Sequence, residues 1–147
     1  MKELSQVNAD LENRIIGIIG IITEGNKCAD NKEVKAAIDK YDEAYNILPE
    51  PKFEWEMLSA WLAGSYFNAY FSLGNFSEAK YWAGIELKYR SSDIDVGPFM
   101  DIGMASYELG QLDEAYENFN TTYMYGKERP FKEYPKKYLR FYLERKG

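Results

Sequence analysis

Two stretches, FSLGNFSEAKYWA at 71–83 and YELGQLDEAYENF at 107–119, align without a gap. They set a period of 36 residues, from Gly74 to Gly110 and again from Ala79 to Ala115. Units of this size cannot bury a hydrophobic face alone, so a chain built from them has to stack them. The unit itself is legible. A helix ends near Leu73 or Leu109, and the glycine that follows supplies the left-handed backbone that stops it. A second helix starts at once, and its small Ala79 or Ala115 lets it lie close against the first. A weaker third copy stands upstream, VKAAIDKYDEAYNILPEP at 34–51, with Ala37, Tyr41 and Ala44. There Pro49 ends the second helix, because proline has no N–H to continue it.

This pattern resembles the tetratricopeptide repeat, which implies an all-α solenoid of about three helical hairpins with a capping helix. In that frame the last copy places Phe99, Ile102 and Gly103 on its first helix, then Gly110, Ala115 and Phe119. The middle copy keeps Tyr70, Gly74 and Ala79 but has Phe67 at the small first-helix position. The first copy keeps Gly25, Ala37, Tyr41, Ala44 and Pro49, with Lys32 where the turn glycine belongs. The expected organisation is one domain: repeats at about 14–51, 53–93 and 96–127, and a cap at about 131–147. Helices are expected from about residue 3 through the isoleucine stretch, then at 32–48, 53–73, 76–90, 97–109, 112–125 and 135–145. Tyr138, Leu139, Phe141 and Tyr142 can cover the exposed end of the third hairpin, as solenoids require.

Charge is divided along the chain. Residues 127–147 carry a net +5, from lysines and arginines such as Lys127, Lys137 and Arg145, so the preceding 126 residues carry −11. An acidic body disfavours nucleic acid and favours a cationic partner through steering and complementarity. The basic, aromatic end reads as an amphipathic cap, with no nucleic-acid role. Histidine is absent, which removes Ser-His-Asp and Cys-His catalysis and imidazole metal sites. Cys28 is the sole cysteine, so no intrachain disulfide can form and a reducing, cytoplasmic setting is expected. No phosphate loop, Cys-x-x-Cys pair or acidic metal loop is present. Neither Asp113/Glu114 nor Asp93/Asp95 has the buried, convergent setting that acid–base work needs. The expectation is a non-enzymatic protein with no cofactor and no metal.

The segment RIIGIIGIITEG at 14–25 is too short to cross a membrane, which takes roughly 20 apolar residues. Leu4, Val7, Leu11, Ile15, Ile18 and Ile22 make one stripe at helical spacing, with Ile16 and Ile19 beside it. The stripe should pack on the second helix of the first repeat, with Gly17 and Gly20 permitting a close approach. The remaining isoleucine surface is either covered by a fold-back of the N-terminal helix or left, over Ile15–Ile22, for self-association or a partner.

The linking segments narrow the resemblance. LPEPKFEWEMLSAW at 48–61, VGPFMDIGMASYELGQLDEA at 96–115 and RPFKEYPKKYLRFYL at 129–143 occur in a fixed order. This order resembles short bacterial tetratricopeptide proteins encoded beside polymorphic toxins of the contact-dependent and Rhs/WapA kinds. The resemblance implies a binding protein of the immunity type that neutralises a toxin; typical toxins of this kind are cationic nucleases. The other reading is an adaptor that holds a peptide or partner protein in its groove. On the repeat register the groove-facing positions are Ile22 and Asn26, then Trp61, Asn68 and Phe71, then Met100, Met104, Tyr107 and Glu108. Trp61 and the methionines could equally be core. Trp55 and Trp61, six apart, point in different directions, one to the core and one to the groove. Glu54, Glu56, Asp101 and Glu108 are either cation contacts or a solvated face. Of the positions that clamp carboxylates in chaperone-binding repeats only Asn26 fits, with Ile22, Ser65, Gly97 and Asp101 at the others, so no such clamp is expected.

Overall fold

A computed structural model describes residues 4–49, 56–90 and 95–147, with residues 4–9 and 56 as backbone alone. Among these residues the secondary structure is helical throughout: α1 (Leu4–Asp30), α2 (Val34–Ile47), α3 (Glu56–Ser72), α4 (Phe76–Lys88), α5 (Gly97–Glu108), α6 (Leu112–Gly126) and α7 (Lys136–Lys146), with a 3₁₀ turn at Arg129–Phe131 before α7. α1 packs on α2, α3 on α4 and α5 on α6, as three hairpins. Contacts of α2 with α3 and of α4 with α5 stack them in chain order, and α7 lies on α6. Glu54 and Trp55 lie outside the described residues.

The three hairpin turns share one hydrogen-bond pattern. Asn75 N–H donates to the Tyr70 carbonyl and Gly74 N–H to that of Phe71, at 2.9 and 3.0 Å. Gln111 and Gly110 repeat the pair onto Ser106 and Tyr107, and Glu33 and Lys32 onto Cys28 and Ala29. This is the Schellman closure, which needs a left-handed residue after the helix. Gly74 and Gly110 supply it at φ 76° and 78°, and Lys32 is held there at φ 65°. The lysine at the turn position thus adopts the glycine's conformation and keeps the turn.

Small residues set the spacing within hairpins. A Cβ at Gly103 would stand 2.5 Å from the Phe119 ring, and one at Gly25 would stand 2.6 Å from Tyr41. Gly17 and Gly20 have nothing within 4 Å, so the close approach expected at them is made one turn later, at Gly25. α1 runs unbroken from Leu4, so it does not fold back. Ile18 and Ile22 are buried with Ala37, Tyr41, Ala44 and Leu62, while Ile16 and Ile19 face outward at 63% and 41% exposure.

Two cores result. One joins α1, α2 and α3; the other joins α3 to α7 around Phe119, with Phe131, Tyr138 and Tyr142 from the C-terminal segment. Tyr70 and Trp82 pack against both. Trp82 stacks on Tyr66 with ring centres 4.1 Å apart. Lys80 of α4 donates to Gln111 at 2.5 Å and pairs with Glu114, tying the second hairpin to the third. At the C-terminal end Tyr142 donates to Asn120 at 2.5 Å and Arg145 pairs with Asp113. None of the helices among the described residues is long and apolar enough to cross a membrane.

Candidate partner-binding groove

The first helices of the three hairpins border a groove of about 800 Å³ that runs from α1 to the segment before α7. Asn26, Ala29 and Asp30 line it from α1, and Val34 and Tyr41 from α2. α3 contributes the longest wall, from Ala60 and Trp61 through Gly64, Ser65, Phe67 and Asn68 to Phe71 and Ser72. Met104 of α5 and Glu86 of α4 form part of its far side, and Tyr134 and Pro135 close the end.

Five of the nine positions expected to face a partner line this groove: Asn26, Trp61, Asn68, Phe71 and Met104. They differ in what they can offer. Trp61 is 38% exposed and Asn68 is exposed, so both present free surface. Asn26 is already engaged, accepting from the Tyr41 hydroxyl at 2.6 Å. Met104 lines the groove but is 2% exposed. Ile22 and Met100 are core, Ile22 between α2 and α3 and Met100 beneath Phe67, Ala105 and Phe119. Helical spacing sets them on inward faces of α1 and α5, so neither reaches a groove ligand in this structure.

Tyr107 and Glu108 are taken up by the cap. Tyr107 meets Tyr138 and Phe141 edge-on, with ring centres 5.4 and 5.2 Å away. Glu108 accepts from Lys137 at 2.5 Å and from the Tyr138 hydroxyl at 2.8 Å. Burial opposes its ionisation, but those two donors outweigh burial and hold its carboxyl below the usual range.

The groove also contains a group that spacing could not reveal. Glu86, near the C-terminal end of α4, lines the groove beside Gly64, and a Cβ added at Gly64 would stand 3.3 Å from its Oε2. Asp101 of α5 hydrogen-bonds to Glu86. Burial raises Glu86 to about 7, with Asp95 adding to it and the hydrogen bond from Asp101 opposing it; burial, then Glu86 and Asp95, hold Asp101 well above the usual carboxyl range. Asp101 is thus neither a solvated face nor a free cation contact; it is a buried acid paired with Glu86. Tyr134, beside them, is pushed up to about 12 by burial and then by Asp101. Only the ELK run at 86–88 marks Glu86 in the sequence, an acid between Ile85 and Leu87, and its partner lies 15 residues away on another helix. Among the described residues no group of histidine, cysteine and carboxylate side chains could hold a metal ion.

No family model matches the sequence, and no curated protein matches it. Among solved structures the chain is similar to the C-terminal TPR-containing domain of a Plasmodium falciparum protein described as FK506-binding. The TM-score is 0.71 at 21% identity, over 90% of this chain and 87% of that one. The fold is tetratricopeptide-like. At this identity the likeness carries the architecture alone, which agrees with the 36-residue period and the shared turn closures.

Proposed function

We propose that the chain is a non-enzymatic protein-binding module that holds a segment of a partner protein in the groove. The observation that carries this reading is the groove itself: three stacked hairpins border about 800 Å³ whose longest wall offers Trp61, Asn68 and Phe71. Exposed tryptophan beside polar donors is the composition on which interface energy concentrates. Among the described residues, the titratable side chains lining the groove are Asp30, Tyr41, Glu86 and Tyr134. None of them has the nucleophile–base or metal setting of a hydrolytic site.

The specific role proposed is that of an immunity protein occluding a cationic toxin. Two features support it: the ordered segments at 48–61, 96–115 and 129–143 that resemble toxin-linked repeat proteins, and the −11 carried by residues 1–126. A cationic nuclease is drawn to such a surface and kept from its substrate by the same charge. The adaptor reading shares the groove but not the toxin. Co-expression with a toxin encoded by the adjoining gene separates the two. Growth is restored by this chain and reduced again by Trp61→Ala with Asn68→Lys, while the helical circular dichroism of the variant persists. Cell death at normal levels of the unaltered protein would overturn the immunity role. Unchanged rescue by the double variant would move the interface off the groove.

A further inference from the structure

The far wall of the groove holds an arrangement that stacking three hairpins does not require. Glu86 belongs to α4, the second helix of its hairpin, yet it lines the groove with residues of α3 and α5. Its Oε2 is buried and, among the described residues, has no hydrogen-bond donor. Gly64 is what admits it, since any side chain there would crowd Oε2 at 3.3 Å. Two carboxyls in contact can be satisfied only if one keeps a proton, or if a cation takes the proton's place.

The surroundings favour a cation. Gly64 faces Glu86 from α3, Asp101 from α5, Asp95 from the segment preceding α5, and Tyr134 from the segment preceding α7. On α4 itself Arg90 stands over Phe99, its guanidinium carbon 4.9 Å from the ring centre. The charged residues lining the groove, Asp30 and Glu86, are both acidic. Trp61 and Phe71 supply aromatic walls against which the stem of a long basic side chain can lie.

We propose that the groove docks a basic segment of a protein partner, with one lysine or arginine side chain reaching Glu86 and replacing the proton it shares with Asp101. This rests on the groove reading above. The ligand's ammonium or guanidinium takes the place of the Glu86–Asp101 hydrogen bond, donating to the Glu86 carboxylate, and the displaced proton leaves to solvent. Charge is balanced in the exchange, so binding and proton release are linked. Because burial, and then Asp95, raise the Glu86 carboxyl to about 7, the ligand competes with a proton at pH 6 and far less at pH 8.

The test is selection from a displayed library of random 12-residue peptides against the full chain at pH 8. The expected peptides share a lysine or arginine at one fixed place with apolar neighbours. Their affinity should fall about tenfold from pH 8 to pH 6, the change in ionised fraction across a group titrating near 7. It should fall at least as far in Glu86→Gln, a near-isosteric change that relieves a buried charge and keeps the fold. The exposed Glu117→Gln, which alters net charge equally, should leave affinity unchanged. Peptides weakened by Trp61→Ala but indifferent to Glu86→Gln, or lacking a basic residue, would overturn the cation site and leave the groove standing. Peptides indifferent to both substitutions, or no selected peptide at all, would overturn both.

Discussion

Glu86 and Asp101 show how far one residue's setting can depart from its place in the sequence. Both stand in helices whose surfaces are otherwise ordinary, and both are drawn into the space between α3 and α5. Keeping a carboxyl there has a thermodynamic signature. A carboxyl whose folded pKa lies above its ordinary value binds its proton more tightly in the folded chain. It therefore adds stability below the ordinary carboxyl range, and that stability is lost as pH rises through the folded value. For Glu86, pushed up to about 7, the loss between pH 5 and pH 8 is on the order of 2–3 kcal/mol. Urea unfolding should show the wild-type chain weakening over that interval and Glu86→Gln weakening less, since Asp101 remains raised by burial. Parallel curves for the two proteins would mean that the carboxylate is hydrated in solution. Nothing local in residues 84–88 signals this pair, because it forms only where α4 packs against α5.

Glycines divide the helices by what lies opposite them, and the same substitution should act with opposite sign. Gly17 and Gly20 lie in α1 with open space around them. Alanine at either position removes backbone entropy from the unfolded chain and clashes with nothing, so each should stabilise by up to about 1 kcal/mol. Gly103 of α5 lies under Phe119, and a methyl 2.5 Å from that ring forces the hairpin apart. Gly103→Ala should destabilise by about 1–3 kcal/mol. Thermal denaturation of the three variants checks the contrast; equal signs would mean that hairpin spacing is not set at Gly103. The elements themselves were largely legible. The 36-residue period carries the turns at Gly74 and Gly110, and the small residues Ala79 and Ala115 mark the packing faces. Pro49 marks the end of the first hairpin, where Leu48 is already extended, as the residue before proline prefers to be. The 3₁₀ turn at Arg129–Phe131 was not legible, because it is held by Phe131 entering a distant core rather than by its own sequence. The close approach assigned to Gly17 and Gly20 went astray for a similar reason. Spacing shows that a glycine is present, not that a neighbour comes near it.

At the scale of the molecule, stacking turns a short acidic chain into a surface with distinct faces. The groove is bordered by α1, α3 and α5; the basic end is folded onto α6 through Arg145–Asp113 and Tyr142–Asn120; the outward isoleucines Ile16 and Ile19 lie on α1. The repeat register was enough to place Trp61, Asn68 and Phe71 on the groove, since their positions follow from which helix of the hairpin carries them. It could not separate Met104, sunk into the floor, from Met100, wholly in the core, because one helical turn separates lining from burial. Nor could it see that the cap would claim Tyr107 and Glu108, since that depends on where α7 lands. If the groove is the binding surface, the free faces are its competitors, foremost the outward part of the Ile15–Ile22 stretch at Ile16 and Ile19 as a site of self-association. Hydrogen–deuterium exchange of the chain, alone and in complex with a selected basic peptide, compares them directly. Slowed exchange is expected in α3 around 60–72 and in the segment at 133–136, with the N-terminal half of α1 unchanged. Slowing confined to residues 14–22 of α1, with α3 unaffected, would contradict the groove reading.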